Sequence, residues 1–210
     1  MGGEGAVVEE HQGKKLVDSA VKHGVQHFVY TSSGRGGDQP TDVSHFVTKH
    51  NVEQHLISTS KSHLMTWTIL RPVAFMDNFD DGFFGKVFAT GWRQNVKSRR
   101  LQVVATSDIG LIGAKVFLSP QAYTERVINI AGDELTFEEM AKVYQEATGV
   151  TVPTTFGFVV TLLFWMSKEM RLMFGFFERE GFGVELDETR KVLPEVQDLK
   201  TWLKKNKKTQ

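Results

Sequence analysis

The chain has 210 residues, 40% of them hydrophobic and 11% aromatic, which suffices for one packed domain or one domain with a small appendage and excludes a disordered chain. Its 25 Lys and Arg balance 25 Asp and Glu, so the pI is near 7.1 and the long-range field that nucleic acid or an anionic membrane would exploit is missing. There is no cysteine, which rules out disulfides, thiolate metal sites and cysteine nucleophiles and fits a reducing compartment.

The N-terminus lacks the basic-then-apolar layout of a signal peptide, and the longest apolar run, 156–166, falls short of the ~20 residues that span a bilayer. A soluble, cytoplasmic protein is expected, with a nuclear location also open.

From Val7 to His23, Val8, Leu16, Val17, Ala20 and Val21 recur at helical spacing, and Gly24 suits the position after a helix. Val25 to Tyr30 reads as a buried strand ending in Thr31-Ser32-Ser33. The glycine-rich segment Gly34-Arg35-Gly36-Gly37 reads as a surface loop, with Thr41 or Asp42 capping the next helix. That helix turns Val43, Phe46, Val47, Val52, Leu56 and Ile57 inward and runs to about Ser60. A strand over 66–70 follows, and Pro72 is expected to end it at Leu70, because proline cannot donate to a ladder.

The alternation of helix and strand predicts a parallel α/β sheet with right-handed crossovers. Beyond Pro72, the spacing predicts a short apolar helix over 83–88, a strand over 101–104, a helix capped by Ser107 and running through Leu118, and a strand over 126–130. Thr136-Phe137-Glu138-Glu139 matches a capping box and opens an amphipathic helix to Gly149. An extended segment over 150–154, one long apolar helix over 158–180 and a polar terminal helix over 199–208 complete the chain. The lysines at 204, 205, 207 and 208 read as a solvated tail.

In parallel α/β sheets the ligand crevice lies outside the carboxyl ends of the strands. Phe75-Met76-Asp77-Asn78, just past the strand that Pro72 closes, is therefore where a cofactor is expected. A nucleotide site also needs a glycine-rich strand-to-helix turn for the pyrophosphate. Gly34-Arg35-Gly36-Gly37 lacks the third glycine and is not tied to a helix N-terminus. The elements therefore look like the second half of a doubly wound domain.

Several motifs occur in a specific order: Gln12-Gly13-Lys14, His27-Phe28-Val29-Tyr30-Thr31-Ser32-Ser33, His45-Phe46 with Lys49, Leu70-Arg71-Pro72 through Phe75-Met76-Asp77-Asn78, Ser107-Asp108-Ile109-Gly110, and Thr136-Phe137-Glu138-Glu139. Together they resemble the NmrA-like family, atypical members of the short-chain dehydrogenase/reductase superfamily. The resemblance implies a partial Rossmann-like doubly wound sheet over residues 1–118, lacking the glycine-rich half. Residues 119–210 would form a small, mostly helical region covering the substrate, with strand 126–130 able to return to the sheet.

The resemblance also implies NADP(H) as cofactor in preference to NAD(H), and hydride transfer with an apolar small molecule. Lys49 resembles the lysine that reaches the nicotinamide ribose, and Phe75, Met76, Asp77 and Asn78 the segment along the nicotinamide. His11 falls where some members place a cofactor-contacting lysine. In ordinary short-chain reductases a tyrosine stands four residues before the lysine and protonates the substrate oxygen, whereas this chain has His45 there. His45 reads either as the replacement acid or as an ordinary helix histidine, and Ser33 either as a substrate-orienting hydroxyl or as a plain strand end.

The missing tyrosine keeps a second reading open, a non-catalytic NADP(H)-sensing regulator that binds other proteins. Without covering strands, the first helix and the strand over 25–30 would also offer an apolar face to a protein partner or a second copy. A third reading is a truncated, inactive remnant. His45, His50 and His55, five residues apart, rotate around their helix, so no metal site is expected. The Phe-rich helix reads as core of the small region, with a substrate pocket or a dimer seam as its other uses.

Overall fold

The computed structural model describes residues 2–37 and 39–206, with the side chains of 2–4 left aside. The elements are α1 (Gly2–Lys22), β1 (His27–Thr31), α2 (Ser44–Ser60), β2 (Thr66–Pro72), β3 (Ala74–Phe75), α3 (Phe83–Gly91), β4 (Leu101–Val104), α4 (Thr106–Leu118), β5 (Arg126–Ile130), β6 (Asp133–Leu135), α5 (Phe137–Thr148), α6 (Gly157–Met166), α7 (Lys168–Arg179), α8 (Leu186–Val192) and α9 (Leu199–Asn206). The fold is α/β and Rossmann-like. A parallel sheet runs in the order β1-β2-β5, and a second sheet runs β3-β4-β6, with β3 parallel and β6 antiparallel to β4.

Period-two alternation along β2 sorts the layers. Trp67 and Ile69, with Phe28 and Tyr30 beside them in register, pack against Val17 and Ala20 of α1 and Val52 and Leu56 of α2. Leu70, with Ile128 in register, falls in the larger core with Ile112 and Val116 of α4. Gly13 lets α1 and α2 cross closely, since a Cβ there would come within 2.7 Å of Val52. Glu10 accepts from Asn51 at 2.8 Å, and Asp18 from His55 at 2.6 Å, across the same contact.

Pro72 does not end β2 at Leu70. The strand continues through Pro72, which lies opposite Ile130, and the Pro72 carbonyl accepts the Gly34 N–H at 2.8 Å. Proline removes only the one ladder bond its nitrogen would donate, and the carbonyl still serves. β1 is half-buried, being an edge of its sheet among the described residues, and Val8, Leu16 and Val47 are exposed.

Two helix starts depart from expectation because the acceptors come from elsewhere in the chain. Neither Thr41 nor Asp42 caps α2, which starts after Val43, and Glu169 of α7 takes the His45 N–H at 3.1 Å. Ser107 does not cap α4: the helix begins one residue earlier, and Asp77 accepts both the Thr106 N–H (3.0 Å) and the Thr106 hydroxyl (2.7 Å). The box at Thr136 and Glu139 closes as the motif predicts, and α5 ends on left-handed Gly149 at φ +79°.

The long apolar helix is broken. Ser167 leaves helical geometry at φ −115°, ψ 101°, and its Oγ accepts the Met170 N–H to start α7. Phe164, Phe174, Phe176 and Phe177 are core, whereas Phe156, Phe158 and Trp165 are exposed. Residues 151–156 form no strand, and β6 and α8 lie where the pattern showed nothing. The glycine-rich segment is a loop whose second half, Gly36 and Gly37, is exposed as expected, whereas Gly34 and Arg35 are buried; a Cβ on Gly34 would meet the Phe182 ring at 3.1 Å. Lys207 and Lys208 lie outside the described residues.

Candidate functional site

Where β1 and β2 end, a cavity of 430 Å³ opens under α7. Ser32 and Ser33 come off β1, Pro72 to Phe75 and Asn78 lie at and beyond the end of β2, and α2 contributes His45, Phe46 and Lys49. Phe84, Val87 and Phe88 of α3 and Met170, Met173, Phe174 and Phe177 of α7 close it. The lining is mostly aromatic, thioether and aliphatic, with polar groups confined to the serines, His45, Lys49, Asn78 and Asp80. That is the make-up of a pocket for an apolar, partly aromatic small molecule.

His45 and Lys49 stand one helical turn apart, so both reach the cavity from one face of α2. His45 Nδ1 lies 2.5 Å from Glu169 Oε1, and its ring meets Phe46 edge-on at 4.4 Å. Burial raises the Glu169 carboxyl, but hydrogen bonds from the His45 backbone N–H, the His45 ring and the Ser44 hydroxyl outweigh it and leave the group below its ordinary value. The Lys49 ammonium pairs with Glu9 of α1, which also accepts from the Thr48 hydroxyl at 3.3 Å.

Ser32 is 5% exposed, lines the cavity, and its hydroxyl has no hydrogen-bond partner among the described residues. A buried hydroxyl without a partner is costly, so Ser32, at a strand's carboxyl end, has a hydrogen bond to offer a polar group in the cavity. Of the residues singled out in the sequence, Ser33, His45, Lys49, Phe75 and Asn78 meet at this cavity. Met76 is fully buried in the core, Asp77 caps α4, and His11 is on the exposed side of α1, so these three do not line it. Among the described residues no glycine-rich turn joins a strand to a helix N-terminus in the pattern that grips a pyrophosphate.

None of the three tyrosines lines the cavity. Tyr30 faces the α1 and α2 layer, where burial, helped by Glu9 and Glu53, pushes its phenol far above the ordinary value. Sequence reading missed Glu169, Met170 and Met173, whose only signal was their place in a helix read as continuous. Their approach to α2, 124 residues away for Glu169 and His45, is a tertiary fact.

The model of the NmrA-like family matches residues 3–203. The chain belongs to the NmrA-like family. A curated relative, an NmrA-like family domain-containing oxidoreductase of Gibberella moniliformis, is 26% identical over 148 residues, which are 64% of this chain and 46% of the relative. The chain thus spans about half the length of the curated relative it matches. The triphenylmethane reductase of Citrobacter sp., solved with NADP(H), superimposes with a TM-score of 0.74 at 18% identity, over 96% of this chain and 72% of the reductase. NmrA, a negative transcriptional regulator solved with NADP, superimposes with a TM-score of 0.62 at 17% identity, over 94% of this chain and 69% of NmrA. At these identities the likenesses show the fold. None of its helices is long and apolar enough to cross a membrane, among the described residues.

Proposed function

We propose that this chain carries the nicotinamide-facing and substrate-facing part of an NADP(H)-dependent oxidoreductase of NmrA type, acting on an apolar carbonyl or alkene in the cytoplasm. The observation that carries the reading is the convergence of His45, Lys49, Ser33 and the unpartnered Ser32 hydroxyl on one apolar cavity at the strand ends. When bound, NADPH would supply the hydride. Lys49 would hold the nicotinamide ribose, Phe75 and Asn78 would flank the ring, and the serine hydroxyls would orient the substrate oxygen. His45 would move the proton at that oxygen. α7 would cover the cavity and keep water out. No residue of the chain is assigned to the pyrophosphate.

The absence of tyrosine at position 45 favours a second reading, an NADP(H)-responsive regulator that binds without turnover. Titration of the chain with NADPH, followed by tryptophan fluorescence, tests both. Saturable binding is expected, and Lys49→Ala is expected to raise Kd about tenfold or more, since hydrogen bonds to charged groups contribute about 1.5–3 kcal/mol. Unchanged affinity in Lys49→Ala would remove the ribose assignment. Turnover of an aromatic carbonyl with NADPH would decide for the enzyme, and tight binding without it for the regulator.

A further inference from the structure

We propose that Glu169 of α7 is a positioning residue for His45: it holds the imidazole with a proton on Nδ1, so that Nε2 is the nitrogen that exchanges a proton with a molecule in the cavity. The proposal deepens the oxidoreductase reading and rests on it.

The geometry is a two-point hold by one oxygen. Glu169 Oε1 accepts the backbone N–H of His45 at 3.1 Å and lies 2.5 Å from Nδ1 of the same residue. The first bond fixes the carboxylate relative to α2, and the second then fixes the ring. An ionised carboxylate only accepts, so a ring nitrogen bonded to it must carry the proton. The lowered Glu169 carboxyl keeps the acceptor ionised near neutral pH. Nε2 has no hydrogen-bond partner among the described residues, while the residue lines the cavity.

Two charged groups close by are paired elsewhere. Lys49, one turn along α2, is paired with Glu9 of α1, and Asp42 before the helix is 3.8 Å from Arg179 of α7. Histidines that act through one nitrogen are commonly oriented by an acceptor on the other. Here that acceptor sits on the element that covers the substrate, since Met170, next to Glu169, and Met173 both line the cavity. A substrate that packs against α7 therefore meets a proton donor aligned by the same helix.

The step balances as follows. Bound NADPH would supply a hydride, with its electron pair, to the carbonyl carbon, and the C=O π pair would move onto oxygen. That oxygen takes the proton from Nε2 of the imidazolium. The ring is left neutral, with its remaining proton on Nδ1 facing Glu169.

The test is ring-nitrogen NMR of the chain labelled with 15N-histidine, His45 being assigned by loss of its signals in His45→Gln, with NADPH titration in parallel. The expected result is a protonated Nδ1 and an unprotonated Nε2 on the neutral ring. Glu169→Ala should lose that pattern and shift the proton toward Nε2. If Glu169→Ala does not fold, Glu169→Gln keeps an oxygen for the His45 N–H while losing the charge, and should give a mixture of the two tautomers. A merely structural cap would leave the tautomer unmoved. A wild-type ring already protonated on Nε2, or variants with an unchanged pattern in a chain that binds NADPH, would overturn the Glu169 assignment alone. A locked tautomer in a chain that does not bind NADPH would overturn the oxidoreductase reading, and the proton-delivery role with it.

Discussion

The helix that carries His45 and Lys49 is pinned to the sheet by a buried ion pair whose removal has a calculable cost. Glu53 of α2 is 1% exposed, and both its carboxylate oxygens accept from Arg71 of β2, Oε1 from Nε at 2.9 Å and Oε2 from a terminal nitrogen at 2.6 Å. His50 Nδ1 lies 3.3 Å from the same Oε2. Arg71→Met removes the guanidinium, keeps much of the volume, and leaves a carboxylate in the interior with only a weak partner. Removing one member of such a buried pair costs about 3–5 kcal/mol. For a chain of this size, at about 2–4 °C per kcal/mol, the Tm should fall by about 6–20 °C. Urea unfolding followed by far-ultraviolet circular dichroism reads the change as a shift of midpoint at constant slope. The double variant Glu53→Met with Arg71→Met should recover most of the loss, because two apolar groups have no desolvated charge to compensate. A loss below about 1 kcal/mol in Arg71→Met, the value of an exposed pair, would refute the argument, as would a double variant no more stable than the single one.

Three further outcomes follow from the same structure. Asp77→Ala should destabilise the chain by about 1 kcal/mol by uncapping α4, and Asp77→Asn, which keeps an acceptor for Thr106, should restore part of it in thermal melts. Burial lowers the His27 pKa, so the folded state binds fewer protons there than the unfolded one. Its contribution to stability is full above the ordinary histidine value of about 6.5 and is lost as pH falls through that value toward the lowered native one. His27→Gln should flatten that part of the stability profile. Met173→Trp, which fills the cavity from α7, should abolish binding of an apolar carbonyl probe while leaving the melting curve cooperative; undiminished binding would move the substrate site elsewhere.

Much of the chain was legible because short-range chemistry dictated it. The Thr136 to Glu139 box, Gly24 and Gly149 after their helices, and β-branched runs such as Thr66 to Leu70 commit the backbone through bonds within a few residues. Spacing alone put His45 and Lys49 on one helix face and Ser33 and Phe75 at strand ends, and all four reach the cavity. What tertiary structure decided is where local signals compete with distant partners. Ser107 was the better local cap, yet Asp77 captures Thr106 one residue earlier, and Glu169 replaces Thr41 and Asp42 at the start of α2. Ser167, with Lys168 and Glu169 behind it, breaks what the aromatic and aliphatic spacing reads as one helix, because its hydroxyl serves the next turn's N–H. Composition and period state which residues bury and which backbone they prefer. The partner of a buried carboxylate, and whether a phenylalanine faces core, cavity or solvent, depend on separate elements meeting in space, 18 residues apart for Glu53 and Arg71 and 124 for Glu169 and His45, and no local pattern encodes that meeting.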